Sequence, residues 1–220
     1  DANGAGLFEI QLTSGICLPP PANDNCTSAL PITPGGPTVT GNTSLATNES
    51  PTPPTCNGLS TFNLGVWHTF TASNNNRYIA STCNAGTDFN TRVYVYSGAC
   101  GSLTCMLANT GSTPACGVRA DAATVSFCAA AGTQYFILVT NDTTGFGNFE
   151  LSLTDTGTDC SPPVNDNCSG ALPIVVGTPV TGTNVNATNE SPAPGTCNAL
   201  STYNLGMWYT FTEGATARRL

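Results

Sequence analysis

Charge is what this chain has least of. Asp, Glu, Lys and Arg make up 8 % of its 220 residues, against roughly 25 % in ordinary globular chains. Lysine is absent, and two of the five arginines, Arg218 and Arg219, fall within the last three residues. With a net charge of −8 and a pI near 4.2, there is no basic face to displace counterions from a phosphate backbone, which excludes nucleic acid as a partner. The sequence has one histidine, His68, and no Cys-x-x-Cys knuckle, so the donor set of a zinc site is missing. One imidazole and scattered acids cannot assemble a Ser–His–Asp, Cys–His or paired-carboxylate centre, and no enzyme activity is expected. No apolar run is long enough to span a membrane and no leader pattern is present, so the expectation is mature, processed extracellular material.

What the chain does have is cysteine, glycine, proline and repetition. Its 11 cysteines point to disulfides and an oxidising compartment. Hydrophobic residues reach 40 %, enough to bury a core rather than leave the chain disordered. Thr, Ser and Asn supply the solubility that charge does not. Pro20–Thr71 is written again at Pro162–Thr212, and with one gap at Thr38, 35 of 51 compared positions are identical. Gly4-Ala5-Gly6-Leu7-Phe8-Glu9-Ile10-Gln11-Leu12 likewise repeats the pattern of Gly145-Phe146-Gly147-Asn148-Phe149-Glu150-Leu151-Ser152-Leu153. Both segments lead into a Cys-x-Pro-Pro linker, at Cys17 and Cys160. The organisation expected is the last strand of a preceding unit at 1–16, a complete unit at 17–159 and the first half of the next at 160–220. A period this strong marks an array, an architecture suited to scaffolds and fibres.

Glycine (23) and proline (16) punctuate the chain, and no segment sustains a helical period, which is the pattern of an all-β sandwich or jelly roll. The fold class expected is therefore all-β, in tandem disulfide-bonded, jelly-roll-like β-sandwich repeats, one complete and two partial. Strands are expected at Leu7–Leu12, Val39–Thr43, Val66–Thr71, Tyr78–Thr82, Arg92–Tyr96, Leu103–Leu107, Thr124–Cys128, Gln134–Thr140 and Phe149–Thr154. Three further stretches carry a family likeness: Asp88-Phe89-Asn90-Thr91-Arg92-Val93-Tyr94-Val95-Tyr96-Ser97-Gly98, then Gly132–Val139, then Gly147–Leu151. They resemble the bacterial pre-peptidase C-terminal type of domain, a β-sandwich appended to secreted proteins. The half beginning Asn23-Asp24-Asn25-Cys26 and running through Trp67-His68-Thr69-Phe70 looks like the opening of repeats in large secreted bacterial surface proteins. The resemblance implies secretion, attachment or adhesion rather than catalysis. Asn90 stands where that family has an acid, and Asn109-Thr110 where it has paired Asp.

The cysteines of the complete unit are Cys26, Cys56, Cys83, Cys100, Cys105, Cys116, Cys128 and Cys160, and eight cysteines allow 105 connectivities. The partial copy retains the equivalents of the first two, Cys168 and Cys197. That retention makes Cys26–Cys56 and Cys168–Cys197 the natural pairs, each closing a loop worth roughly 3–4 kcal/mol. Cys100–Cys105 across one turn competes with Cys105–Cys128 between neighbouring strands. Cys17 is left over.

Each candidate site has a structural alternative. His68 is replaced by Tyr209 in the second copy, so it reads as a packing residue. Asp24, in Asn-Asp-Asn, offers oxygens to calcium, as do Asp88 and Asn90 on their loop; the competing reading for Asp24 is an Asx turn. Sequons place candidate glycosylation at Asn48 and Asn189 in identical Thr-Asn-Glu-Ser segments, and at Asn42, Asn141 and Asn186. Trp67 and Trp208 either stack on sugars or fill the core. No other cofactor is implied.

The function expected is a structural subunit of an extracellular fibre or surface stalk, self-assembled head-to-tail. Leu7, Phe8, Ile10 and Leu12 would add as a strand to a neighbouring chain. The alternative is an adhesin or carbohydrate-binding module of a larger secreted protein, with glycans as partners.

Overall fold

A computed structural model describes residues 18–59, 64–111, 116, 121–142, 145–189, 193–195 and 205–212. The strands are β1 (Leu30–Pro31), β2 (Val39–Asn42), β3 (Val66–Thr71), β4 (Asn76–Ser81), β5 (Thr91–Ala99), β6 (Ser102–Thr110), β7 (Thr124–Cys128), β8 (Gln134–Asn141), β9 (Asn148–Asp159), β10 (Leu172–Pro173) and β11 (Tyr209–Thr210). The only helical pieces among the described residues are single 3-10 turns, Cys26–Ser28 and Cys168–Gly170. The fold is all-β and sandwich-like, as the glycine and proline punctuation implied. A five-stranded sheet runs in the order β1-β3-β8-β5-β6, a four-stranded sheet in the order β2-β9-β4-β7, and β10 and β11 form a separate pair. The expected strand Leu7–Leu12 lies outside the described residues.

Contacts divide the chain into two compact units: the described residues of Asp1–Phe70, Ala80–Val125 and Gln134–Leu153, and those of Thr71–Ile79, Ser126–Thr133 and Thr154–Leu220. In the first unit, β5 is the structural spine. Its run Arg92-Val93-Tyr94-Val95-Tyr96 is buried throughout, because β6 and β8 flank it antiparallel on both edges. A bulge between Val95 and Tyr96 shifts the register against β6, which turns that strand as bulges do. One cluster packs Trp67, Tyr94, Tyr96, Phe136 and Leu138 around Cys26 and Cys56. The sheets face each other through His68 of β3, whose ring meets Phe149 of β9 edge-on at 6.0 Å. In the second unit, Tyr78 packs on Phe127 at 6.2 Å, and the amide of Asn76 donates to Asp155 at 2.9 Å.

Four disulfides are formed: Cys26–Cys100, Cys56–Cys105, Cys83–Cys116 and Cys128–Cys160. The expected Cys26–Cys56 bridge is not among them, nor is Cys100–Cys105 or Cys105–Cys128. The reason lies in the sheet order. The turn joining β5 to β6 carries Cys100, β6 carries Cys105, and both sulfurs are aimed at the core cluster that already holds Cys26 and Cys56. The two cysteines of the first half are thus each tied to the second-half hairpin. Cys17 and Cys197 lie outside the described residues, and Cys168 is exposed.

Candidate functional site

The site with most to explain is the second copy, because its described residues reproduce internal bonds of the first while Phe211 is exposed where Phe70 is buried. In the complete repeat, Asn23 holds the segment ahead of β1 to β3. Its side-chain amide donates to the Trp67 carbonyl at 2.8 Å, and the Trp67 N–H donates to the Asn23 carbonyl at 2.8 Å. Asn165 and Trp208 make the same pair at 2.9 and 2.8 Å. Asp24 accepts from the backbone N–H and hydroxyl of Thr47 at 2.6 and 2.5 Å. Asp166 accepts from the same two groups of Thr188. Both carboxylates are nearly inaccessible, at 5 % and 3 % exposure, and each is satisfied by one turn of chain. The parallel pairing of β1 with β3, Leu30 opposite His68 and Pro31 opposite Thr69, recurs as Leu172 opposite Tyr209 and Pro173 opposite Thr210.

What differs is cover. Phe70 is 5 % exposed, with its ring stacked on Tyr135 of β8 at 5.5 Å. Its equivalent Phe211 is 66 % exposed. Trp67 is fully buried and Trp208 only partly. Eight of the thirteen large hydrophobic residues exposed among those described fall at 164–211, including Val175, Val176, Val180 and Val185. Of these eight, Phe211 is the one whose counterpart in the complete repeat is buried; Ala22, Leu30 and Thr33, the counterparts of Val164, Leu172 and Val175, are themselves exposed. Residues 180–183, the counterparts of β2, belong to no strand. In the complete repeat β2 is held by β9, with Gly41 opposite Phe149 and Val39 opposite Leu151.

The other expected site residues are dispersed. Asp88 accepts from the backbone and side-chain amides of Asn148 at 2.8 and 2.9 Å, fixing the start of β9. Gly147 must lack a side chain there, since a Cβ would lie 2.0 Å from the Asp88 carboxylate. No group of three or more His, Cys, Asp or Glu is gathered with metal-binding geometry among the described residues. Asn48 and Asn189 are exposed and accept from the backbone N–H groups of Leu64 and Leu205. Asn42 is exposed and bridges to Asn148. Asn186 is half-buried and donates to the Asp159 carbonyl. Asn141 is corrected as a glycosylation candidate: it is 3 % exposed and its amide nitrogen donates to the Gly145 carbonyl, which leaves no room for a sugar. Trp67, without exposed surface, presents no ring to a glycan. Leu7, Phe8, Ile10 and Leu12 lie outside the described residues.

No family model matches the chain, and neither a curated protein nor a solved structure matches it. Four disulfides suit an oxidising compartment outside the cytosol. No helix among the described residues is long and apolar enough to cross a membrane.

Proposed function

We propose that the chain is a non-catalytic building block of an extracellular fibre or surface stalk, made of disulfide-bonded β-sandwich repeats joined head-to-tail. The observation that carries this reading is the contrast between Phe70 and Phe211, at 5 % and 66 % exposure in otherwise matching bond patterns. The described residues of the second copy keep the hydrogen bonds of the first, while Phe211 presents an apolar ring to the outside. A surface that is self-similar to a buried one, and displaced along the chain, makes contacts that propagate rather than close. The resemblance to the pre-peptidase C-terminal type of domain supports the same non-catalytic role. Sugar binding through Trp67, the other reading, has no exposed ring to support it.

Sedimentation and negative-stain microscopy of the oxidised protein test the proposal. Concentration-dependent, elongated polymers are expected. A chain that stays monomeric at every concentration, without binding an apolar dye, would sink it.

A further inference from the structure

The fibre reading makes no use of one cleft in the first compact unit. About 270 Å³ in volume, it is lined by residues 51–54, which read Pro-Thr-Pro-Pro, by residues 101–103 where the β5–β6 turn enters β6, and by Cys26 and Glu49. Its shape is set in advance. Each proline has a fixed φ, and the Tyr96 hydroxyl donates to the Pro54 carbonyl at 3.2 Å. The Cys26–Cys100 bridge ties one lining residue to the turn that supplies others. Little ordering is therefore left to be done on binding. The volume falls below the roughly 300–1,000 Å³ of pockets that bury drug-sized ligands, so the occupant is a single group the size of a side chain.

Glu49 is the one charged residue among the described residues that line the cleft. Its Oε2 accepts from the Cys26 N–H at 2.8 Å, and its Oε1 takes no bond among the described residues. A half-used carboxylate beside proline rings and Leu103 attracts a cation more strongly than one in open water does. We propose that the cleft is a binding site for a primary ammonium group on an alkyl stem, the stem lying on the prolines and Leu103 and the ammonium donating to Glu49. The other organic cations fit less well. A guanidinium fork wants both oxygens of a carboxylate, and here Cys26 holds one of them. A quaternary ammonium wants aromatic faces, and no aromatic ring lines the cleft among the described residues. An ammonium has three N–H donors, and the hydroxyl oxygens of Thr52 and Ser102 add acceptors to the carboxylate. The net charge of −8 draws cations toward the whole chain. None of the 220 residues is a lysine, so none of them supplies the group. A free alkylamine and a lysine side chain on another protein carry the same chemistry.

Ligand-observed saturation-transfer NMR on the oxidised full chain tests this, in monomer and polymer alike, with n-butylammonium, n-butylguanidinium and tetramethylammonium as probes. Saturable binding of butylammonium is expected, tighter than that of the other two. Glu49→Gln keeps an acceptor for the Cys26 N–H and removes the charge; it is expected to weaken butylammonium about tenfold or more, the worth of one charge-assisted bond, with melting unchanged. Leu103→Ala shortens the apolar wall and should weaken butylammonium more than methylammonium. Nα-acetyl-lysine-N-methylamide separates the two sources: binding at least as tight as that of butylammonium assigns the cleft to lysine on another protein, and weaker binding assigns it to a free amine. No saturable binding, equal binding of the three cations, undiminished binding in Glu49→Gln, or equal losses for both amines in Leu103→Ala would overturn the proposal. Each of these results leaves the fibre reading as it was.

Discussion

A Cβ built on Gly41 lies 2.3 Å from Cζ and 2.5 Å from Cε1 of Phe149, and Phe149 is itself closed in by His68. The ring therefore cannot retreat without opening the space between the sheets. Gly41→Ala is expected to cost about 1–3 kcal/mol, the usual penalty for overpacking, read as a lower denaturant midpoint with an unchanged slope. His68 beside it makes a second, pH-dependent prediction. Burial holds its imidazole down to about 4, partly offset by the Leu30 backbone, whereas in the unfolded chain it titrates near 6.5. The unfolded state thus binds more protons between those values. The stability that neutral His68 contributes is whole above about pH 6.5 and is lost as pH falls toward 4, a loss of at most about 3 kcal/mol. Denaturation midpoints across that range should fall in the native protein, and the fall should be shallower in His68→Gln. An equal slope in both would show that His68 is not the group responsible.

The β5–β6 hairpin is the element on which the complete repeat depends, because it receives a bridge from each cysteine of the first half. The Cys26Ser/Cys100Ser double variant is expected to lose about 4 kcal/mol, given the 74 residues the bridge spans. A non-reduced peptide map should yield Cys26 linked to Cys100; a Cys26–Cys56 peptide would contradict the fold described. These bridges mark where the sequence stops being legible. Val66–Thr71 and Thr124–Cys128 could be read to the residue from alternation alone, since each has one wet and one buried face over part of its length. β9 could be read only to Thr154, yet it continues to Asp159. That extension, Asp-Thr-Gly-Thr-Asp, has no apolar period and is held by polar bonds such as Thr156 to the Arg77 carbonyl. β1 escaped notice because it is two residues long and contains a proline. Cysteine pairing depends on the order of strands across a sheet, which local pattern does not encode. The exposure of Phe211, by contrast, is legible because repetition supplies its buried reference, Phe70.

At the scale of the whole molecule, few charges and a concentrated apolar surface make opposite demands on salt. Eight of thirteen exposed large hydrophobics among the described residues sit at 164–211, while the chain carries a net charge of only −8 over 220 residues. If association were ionic, raising salt from about 0.01 M to about 1 M would shrink the Debye length from about 30 Å to about 3 Å and dissolve the polymers. Burial of Val180 and Phe211 predicts the reverse. The weak mutual repulsion of acidic copies is screened, the apolar term is untouched by sodium chloride, and an excluded salt such as ammonium sulfate strengthens it. Cooling should act against assembly, because apolar burial weakens as temperature falls. The sedimented fraction is therefore expected to hold or rise with salt and to fall on chilling. Val180→Asp, which sets a charge on the exposed apolar surface of the second copy, should lower it under every condition. Polymers that dissolve at high salt and survive cooling would mean that the contacts joining copies are ionic, and that the open face of the second copy is covered by something other than its own kind.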